Sequence, residues 1–384
     1  MTTVLPTALK QYADEAAWLL LIRAPRLGPG RITTILETFH TPLEFIQANR
    51  KQQAATGVAA ATLDYLQAPE WERVEQDLQW LQQPENALVP LTDDRYPLLL
   101  RDIADPPAAL FVRGDSSHLS RLQLAIVGSR NPTATGRETA QEFARYLTGA
   151  GLVVTSGLAA GIDGAAHSGA LATGGPTIAV VGTGLDRVYP AEHHELAHRI
   201  ADQGALVSEF PLGTQPFPGN FPKRNRLISG MSLGTLVVEA TPRSGSLITA
   251  RLAGEQGREV FAIPGSIHNP QARGCHALIR QGAKLVETAA DIIEELGPLA
   301  GFSPESAATS TSGGTRHELD SDYQTLLEHL DFSPTSIDTL VDRSGLTVET
   351  VSSMLLLLEL QGYVSSAAGG LYTRAGAESR LLAD

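Results

Sequence analysis

The chain has 384 residues, 42% of them hydrophobic, and a formal net charge of −13 at pH 7. This length predicts two or three domains, and the apolar content is sufficient for buried cores. The single cysteine, Cys275, excludes an internal disulfide and indicates a reducing compartment. No apolar run approaches the roughly 20 residues that span a bilayer and no secretory signal is visible, so we expect a cytoplasmic location without membrane contact.

The acidic charge is unevenly distributed along the chain. From Glu318 to Asp384 there are eleven acidic and three basic residues, a net charge of −8. More than half of the acidic excess therefore lies at this end. A basic surface that binds nucleic acid elsewhere remains compatible with the overall charge.

Residues 1–85 are predicted to form a helical domain. Apolar residues recur at helical spacing in Ala16–Ile22, Ile32–Phe39 and Trp71–Leu81. Between them, the segment from Leu27 to Ile32 reads Leu-Gly-Pro-Gly-Arg-Ile and resembles a helix-hairpin-helix turn, in which backbone amides approach a phosphate. The alternative is a plain interhelical turn in a bundle resembling a sterile alpha motif (SAM). We favour this alternative because a short Gly-Pro-Gly is only a weak signal for a particular kind of turn.

Residues 86–297 are predicted to form an extended Rossmann-like domain. From about residue 120, short β-branched runs alternate with helical stretches, a pattern typical of a doubly wound parallel sheet with helices on both faces. The predicted strands are Leu124–Val127, Leu152–Thr155, Thr177–Val181, Ala205–Ser208, Thr235–Val238, Glu259–Ile263 and Lys284–Val286. Ligands bind such sheets at the carboxyl ends of the strands.

Small residues follow most of these strands. They occur as Gly128-Ser129-Arg130, Ser156-Gly157, Gly182-Thr183-Gly184, Ser244-Gly245-Ser246 and Pro264-Gly265-Ser266. At helix starts such residues expose backbone N–H groups that attract anions, which indicates one or more bound phosphates. The sequence has neither a P-loop nor a complete dinucleotide-binding glycine pattern, so neither a P-loop NTPase nor an ordinary dehydrogenase is expected.

The segment Phe221–Arg226 carries three cations in four positions, Lys223, Arg224 and Arg226. The rings of Tyr189 and Phe217 are near it in sequence. Cations beside aromatic rings are typical of proteins that bind single-stranded nucleic acid. A solvated basic turn, with the phenylalanines in the core, explains this segment equally well on its own.

Several possible reactive groups have simpler explanations. His194-Glu195-Leu196-Ala197-His198 matches the zinc protease pattern, but the third ligand would have to be Glu209, so an exposed helix face is the better interpretation. Carboxylates facing a polyanion would normally be paired with Arg or Lys, so a structural role is favoured for the possible acid–base groups. These are Asp163, His167, Glu209 and Glu239. Cys275 lacks a Cys–His constellation and is predicted to be structural.

The C-terminal region is predicted to contain a linker and a winged helix. Residues 298–317 are rich in Ser, Thr, Gly, Ala and Pro and indicate a flexible linker. Residues 318–384 follow a winged-helix order: helices Ser321–Leu330, Ser336–Val341 and Thr347–Gln361, then a hairpin Tyr363–Thr373 turning at Gly369-Gly370. The third helix contains no Lys or Arg, so we expect this domain to contact a protein or regulate the core.

Ordered sequence blocks over about 160 residues resemble the DprA/Smf family of bacterial DNA-processing proteins. These blocks are Ala125–Arg130, Ser156–Asp163, Ala165–His167, Phe221–Ser229, Val238–Ala240, Ser244–Ala250 and Pro264-Gly265. The flanking helical and winged-helix regions fit the same family, so the resemblance covers nearly the whole chain. One departure follows Tyr189-Pro190, where His193 stands at a position that is often Asn in the family.

The resemblance implies a function without catalysis, metal or cofactor. It implies a homodimer that binds single-stranded DNA in preference to duplex, protects incoming strands and loads the RecA recombinase during natural transformation. DNA-binding positions carried over from the family, together with the nearby ring of Phe221, are Gly128, Ser129, Arg130, Phe221, Lys223, Arg224, Asn225, Arg226, Ser244 and Gly245. Of these, Arg130, Lys223 and Arg226 are predicted to contact phosphates.

Two other classes of function remain open from the residues alone. A sheet of this kind can hydrolyse nucleoside monophosphates, although the enzymes that do so carry a Pro-Gly-Gly-x-Gly-Thr pattern where this chain has Arg243-Ser244-Gly245-Ser246. A scaffold that binds only proteins is the third class, and the acidic C-terminal domain is its best support.

Overall fold

The computed structural model describes residues 5–300, 321–330, 333–360, 363–367 and 369–374. The chain divides into two compact units, Met1–Pro304 and Glu305–Asp384. No helix among the described residues is both long enough and apolar enough to cross a membrane.

The first unit begins with helices, as the apolar spacing predicts. After a 3₁₀ turn at Thr7–Tyr12 come α1 (Ala13–Arg23), α2 (Pro29–Phe39), α3 (Pro42–Gln47), α4 (Arg50–Ala55), α5 (Ala60–Gln67) and α6 (Trp71–Leu81). Side-chain caps stabilise two of the starts, since Thr41 accepts from the Glu44 amide and Asn49 from the Gln52 amide. The buried faces of these helices join one apolar cluster with Phe111 of the sheet.

Nine strands form one sheet within the described residues. They are β1 (Asn86–Pro90), β2 (Ala109–Gly114), β3 (Gln123–Val127), β4 (Val153–Ser156), β5 (Thr177–Val180), β6 (Ala205–Ser208), β7 (Gly234–Val237), β8 (Glu259–Ala262) and β9 (Lys284–Leu285). Their order is β1-β2-β6-β5-β4-β3-β7-β8-β9. All pairs from β6 through β9 in this order are parallel, which confirms the predicted doubly wound α/β fold.

The first two strands were not predicted. β1 and β2 pair antiparallel, and β2 also pairs antiparallel with β6. The run Ala109–Val112 is apolar but follows Pro106-Pro107, which reads as a break, and β1 contains Asn86 and Pro90. Proline is tolerated in β1 because this strand lies at the end of the sheet, where an amide donor can be missing.

Helices cover both faces of the sheet. The remaining α-helices of this unit are α7 (Leu98–Arg101), α8 (Ala134–Gly149), α9 (Ile162–Ala172), α10 (His194–Gln203), α11 (Asn220–Gly230), α12 (Ser246–Glu255), α13 (Arg273–Arg280) and α14 (Ala289–Ala300). Alternate residues of β3 face opposite layers: Leu124 and Ile126 pack with α8, α9 and α14, while Ala125 and Val127 pack with α11, α12 and α13. Because both faces are buried, the central strands are mostly apolar.

The predicted linker, residues 298–317, is described in part. Residues 298–300 are the end of α14, and residues 301–317 lie outside the described residues. The predicted domain boundaries at residues 85/86, 297/298 and 317/318 remain predictions.

The second unit has the predicted winged-helix order. It contains α15 (Ser321–His329), β10 (Thr335–Ser336), α16 (Ile337–Ser344), α17 (Val348–Leu360), β11 (Val364–Ala367) and β12 (Leu371–Arg374). β12 pairs with both β10 and β11, and the hairpin turns at Gly369 and Gly370, whose φ values are +91° and +70°. Leu326, Leu340, Leu355 and Leu358 form part of its core.

Candidate nucleic-acid interface

A cleft of about 640 Å³ lies at the carboxyl ends of β3 and β7. From β3 the chain proceeds through β4, β5 and β6 on one side of the sheet, then returns to β7 on the other side. The ends of β3 and β7 are therefore the topological switch point, where open α/β sheets bind their ligands. We call this the strand-end cleft. Eight predicted DNA-binding residues line it: Gly128, Ser129, Arg130, Phe221, Arg224, Asn225, Ser244 and Gly245.

The loop after β3 forms one wall of the strand-end cleft. Gly161, with φ of +82°, allows the start of α9 to approach this loop, since a Cβ atom there would lie 2.4 Å from the Ser129 carbonyl oxygen. The Ile162 amide donates to that oxygen at 3.1 Å, and the Ser129 hydroxyl accepts from the Asn131 amide. Ser129 is thus held in place while Arg130 extends into solvent. No ion pair joins Arg130 to a carboxylate in the part of the chain that the structure describes.

Aromatic rings lie next to this arginine. The Phe221 ring centroid is 5.5 Å from that of Tyr189 and 6.0 Å from the Arg130 guanidinium carbon. Tyr189 is 48% exposed, so one of its faces is open to a ligand. An exposed cation beside rings of this kind is the combination that holds a phosphate while a base stacks.

The basic segment Phe221–Arg226 is helical, so the alternative of a solvated basic turn does not apply. It forms the first turns of α11, which begins at Asn220. Proline is compatible with a first helical turn because amides there need no partner within the helix, so Pro222 does not break α11. Lys223 is exposed, and its Nζ lies 5.6 Å from the Phe210 ring. Lys223 does not line the strand-end cleft but lies beside it on the same helix.

Arg224 lines the strand-end cleft but is only 4% exposed. Its Nη1 donates to the Val180 carbonyl oxygen, and Asp163 supplies the nearby negative charge. Burial lowers the pKa of Arg224 to about 10, so the guanidinium remains charged at neutral pH. Gly157 allows this approach, since a Cβ atom there would lie 2.1 Å from Nη1. The side chain adds positive potential to the floor of the cleft without projecting into it.

Arg226 faces away from the strand-end cleft and is 8% exposed. Its Nη2 donates to Glu209 at 2.5 Å, and its Nε lies 3.3 Å from Asp105. This pairing conflicts with the predicted direct phosphate contact by Arg226. The physical reason is the local surroundings: residues three apart lie on the same side of a helix, but Arg226 is one turn further along α11, where Glu209 and Asp105 pair with it.

The start of α12 forms the opposite wall. Ser244 and Ser246 share a hydrogen bond between their hydroxyls at 2.7 Å, and a Cβ atom at Gly245 would meet nothing within 4 Å. Gly245 therefore leaves open space at this helix start, where the positive end of the helix dipole attracts an anion. Arg243 was not among the predicted DNA-binding residues, but it is exposed and also lines the cleft. Its position directly before Ser244-Gly245-Ser246 is the signal that could have identified it.

The possible acid–base groups all have structural partners. Asp163 accepts from the amides of Gly157 and Ala159, and burial raises its pKa against the opposing charge of Arg224. Both carboxylate oxygens of Glu239 accept hydrogen bonds from Thr133, at the start of α8.

Two further groups are buried in the core. The His167 ring lies 2.8 Å from the Thr177 hydroxyl, and burial lowers the pKa of this histidine to about 3. Burial raises the pKa of the Cys275 thiol to about 12, which makes a thiolate nucleophile unfavourable.

The His-Glu-x-x-His segment lies on α10, as predicted. The rings of His194 and His198 contact each other with centroids 4.7 Å apart, and Glu209 is bound to Arg226. Among the described residues no group of three or more His, Cys, Asp or Glu side chains could hold a metal ion. His193 does not line the strand-end cleft. Its Nδ1 lies 3.0 Å from the Leu158 carbonyl oxygen.

The turn that resembles a helix-hairpin-helix lies at the start of α2. Gly28 and Gly30 are exposed, and a Cβ atom at either would meet nothing within 4 Å. Arg31 donates to the Thr56 carbonyl oxygen. None of these residues lines the strand-end cleft.

Comparisons with known proteins agree with this geometry. Residues 87–297 match the family model of DNA recombination-mediator protein A, and residues 310–370 match the DprA winged helix domain. The chain is 45% identical to protein Smf of Escherichia coli over 298 residues, covering 77% of this chain and 80% of that protein. It is 47% identical to DNA processing protein DprA of Bacillus subtilis over 209 residues, covering 54% and 70%.

Two solved structures resemble the chain. DprA from Streptococcus pneumoniae has 36% sequence identity and a TM-score of 0.66, covering 73% of this chain and 97% of the other. DNA processing protein A from Helicobacter pylori has 30% identity and a TM-score of 0.51, covering 55% and 95%; its structure is described as giving insights into a unique single-stranded DNA binding mode.

Proposed function

The chain belongs to the DNA recombination-mediator protein A family, also named DprA or Smf, and from this premise we propose that it binds single-stranded DNA across the strand-end cleft. The observation that carries the proposal is the cleft itself, lined by the exposed cations Arg130 and Arg243 and by the half-exposed ring of Tyr189. A single-stranded DNA binding mode is described for the Helicobacter pylori relative. Cations that follow a backbone and rings that stack bases are how proteins hold single strands.

The residues divide into contacts and supports. Arg130 and Lys223 contact phosphates, Phe221 stacks a base, and Asn225 supplies a polar contact. The loop and helix-start groups of Gly128, Ser129, Ser244 and Gly245 bind phosphate oxygens. Arg224 and Arg226 support α11 from within, since each is more than nine-tenths buried and bonded to protein oxygens.

We propose that this binding occurs without chemistry on the strand. Glu239 was the possible catalytic acid of a nucleotide hydrolase, but both of its oxygens stabilise the start of α8. Asp163, His167 and Glu209 are likewise bonded to protein groups. Incubation with nucleoside monophosphates should release no free base, and base release that Glu239→Gln abolishes would favour the enzyme instead.

The wider role is proposed from family membership. We propose that the protein protects incoming single strands and loads RecA recombinase during natural transformation, in the cytoplasm. A homodimer is part of this proposal. It is supported by β9, which ends the sheet and carries the exposed side chain of Leu285 (45%), because an uncovered edge strand can pair with a second chain. Light scattering coupled to size exclusion would test the dimer, and RecA-dependent strand exchange would test loading.

The winged helix is proposed to bind a protein rather than DNA. Its α17 has no Lys or Arg and exposes Leu356 (59%) and Leu357 (43%). A helix that reads a major groove needs donors and cations at these positions.

The binding proposal is tested by fluorescence anisotropy with labelled oligothymidine at several salt concentrations. Because each phosphate contact releases a condensed counterion, the logarithm of the binding constant should fall linearly with the logarithm of the salt concentration. Affinity that does not change with salt, or no binding at low salt, would reject the proposal.

A further inference from the structure

A second cavity of about 670 Å³ lies next to the strand-end cleft, lined by residues of α12, α13 and β8. The two share the residues Arg243, Ser244 and Ile248, so the start of α12 forms a ridge between them. We call this second space the α12–α13 cavity. No predicted DNA-binding residue except Ser244 lines it.

The α12–α13 cavity has more positive than negative charge. Arg243, Arg251 and Arg258 line it, against the carboxylate of Glu259. Arg251 pairs with Glu255 at 3.5 Å, but both side chains are more than 60% exposed, at 69% and 61%. An ion pair this exposed contributes little, so a phosphate could replace the carboxylate.

Arg258 places a partly buried charge at this cavity. Its Nη2 donates to the Leu99 carbonyl oxygen at 2.7 Å, while its Nε is buried and has no hydrogen-bond partner among the described residues. Burial lowers the pKa of this guanidinium against the opposing charge of Asp102. A nearby phosphate would stabilise this charge because charge-assisted interactions are strong away from water.

The remaining walls are mostly apolar. Leu247, Val260 and Leu278 line the cavity together with small residues of α13. Concave sites with apolar walls and a few placed charges accommodate flat organic groups. The apolar walls can therefore contact a base and its sugar, and the arginines can contact the phosphates.

We propose that a single strand bound in the strand-end cleft crosses the ridge at Arg243 and continues into the α12–α13 cavity, where Arg251 contacts a phosphate. This inference rests on the proposed function and extends its site. Arg251 is five residues beyond Ser246, roughly 8 Å further along α12 at 1.5 Å per residue. A short strand fills the strand-end cleft alone, and a longer one reaches Arg251.

The test compares oligothymidines of about 5 and about 15 nucleotides, the range of known single-strand site sizes, by anisotropy on the full chain. Arg251→Glu should weaken binding of the longer strand by about tenfold and lower its salt slope by about 1, since one phosphate contact is lost. Binding of the short strand should change less than about twofold. Arg251→Ala, at an exposed position, gives a smaller loss of the same kind if the reversal affects folding.

Two variants keep the outcomes distinct. Arg121→Glu is the charge-matched control, because Arg121 is exposed and lies just before the amino end of β3. The strand-end cleft lies at the carboxyl end of the same strand. Arg130→Glu should weaken both strand lengths. If Arg130→Glu weakens both and Arg251→Glu neither, the extended path is rejected and the proposed function stands. If Arg130→Glu weakens neither length, the proposed function fails and the extension fails with it.

Discussion

The strand-end cleft and the winged helix are both shapes that proteins use to bind nucleic acids, but their charges differ. The cleft exposes Arg130 and Arg243 at the switch point of the sheet. The helix that would enter a groove, α17, exposes leucines and has no Lys or Arg. A fold supplies a shape, and exposed charge decides which shape a polyanion can use.

The largest effect is expected where an arginine is charged but buried. Arg226→Met should destabilise the protein by about 3–5 kcal/mol, because it leaves the nearly buried Glu209 without its counter-charge. Thermal unfolding measures this loss. Arg226→Met combined with Glu209→Leu should recover most of it. A stable Arg226→Met variant that has lost only DNA affinity would show that Arg226 contacts DNA, contrary to the division proposed here.

Reversing the exposed charge on the cleft side should affect binding and leave folding unchanged. The double variant Arg130→Glu, Lys223→Glu should weaken oligothymidine binding by at least about a hundredfold, since two phosphate contacts become repulsive. This corresponds to about 2.8 kcal/mol. Its melting temperature should match that of the unaltered chain because both side chains are exposed. Equal affinity of the two proteins would show that the strand-end cleft does not bind the strand.

Acid should act on the buried core of the first unit. His167 has its pKa lowered to about 3 by burial, so between pH 6.5 and 3 the unfolded chain binds a proton that the folded chain does not. Stability from this residue is thus complete above pH 6.5 and falls with acid, by about 2 kcal/mol at pH 5. Asp163 and Glu209, whose pKa values are raised by burial, act in the opposite direction.

Comparing the unaltered chain with His167→Asn isolates this contribution. Both proteins are melted at pH 7 and pH 5, and the acid-induced loss of stability should be smaller in the variant. Equal losses would show that His167 is not buried in its neutral form.

The smallest effect is expected from the winged helix. Removal of residues 318–384 should change the affinity for single-stranded DNA by less than about twofold, because α17 has no cations to contribute. Circular dichroism checks that the rest of the chain is folded. A measurable loss of duplex affinity on this removal would overturn the assignment of the winged helix to protein binding.

Much of the fold follows from local sequence patterns. The strand β6 (Ala205–Ser208) has the predicted bounds because it is a short apolar run with clear limits. The helix α6 (Trp71–Leu81) has the predicted bounds because its apolar residues recur at helical spacing. β1 was missed because Asn86 and Pro90 resemble loop residues, and β2 was missed because Pro106-Pro107 directly before it reads as a break. Pairing of β2 with β6, and of β1 with β2, makes these segments strands.

The site was predictable in composition but not in orientation. Sequence indicated that Phe221–Arg226 was basic, yet it could not separate exposed Lys223 from buried Arg224 and Arg226. Their burial depends on the distant groups that meet them in the fold, the Val180 carbonyl oxygen for Arg224 and Glu209 and Asp105 for Arg226. Arg243 belongs to the site because the ends of β3 and β7 lie close together in the folded chain.

The central claim is that the strand-end cleft holds single strands by their phosphates. Its most direct test is competition: labelled oligothymidine bound to the full chain is displaced by unlabelled single-stranded or duplex DNA, at low and at high salt. Single strands should displace the label at least about tenfold more effectively than duplex, and all affinities should fall as salt rises. Equal competition by duplex, or binding that salt does not weaken, would contradict the claim.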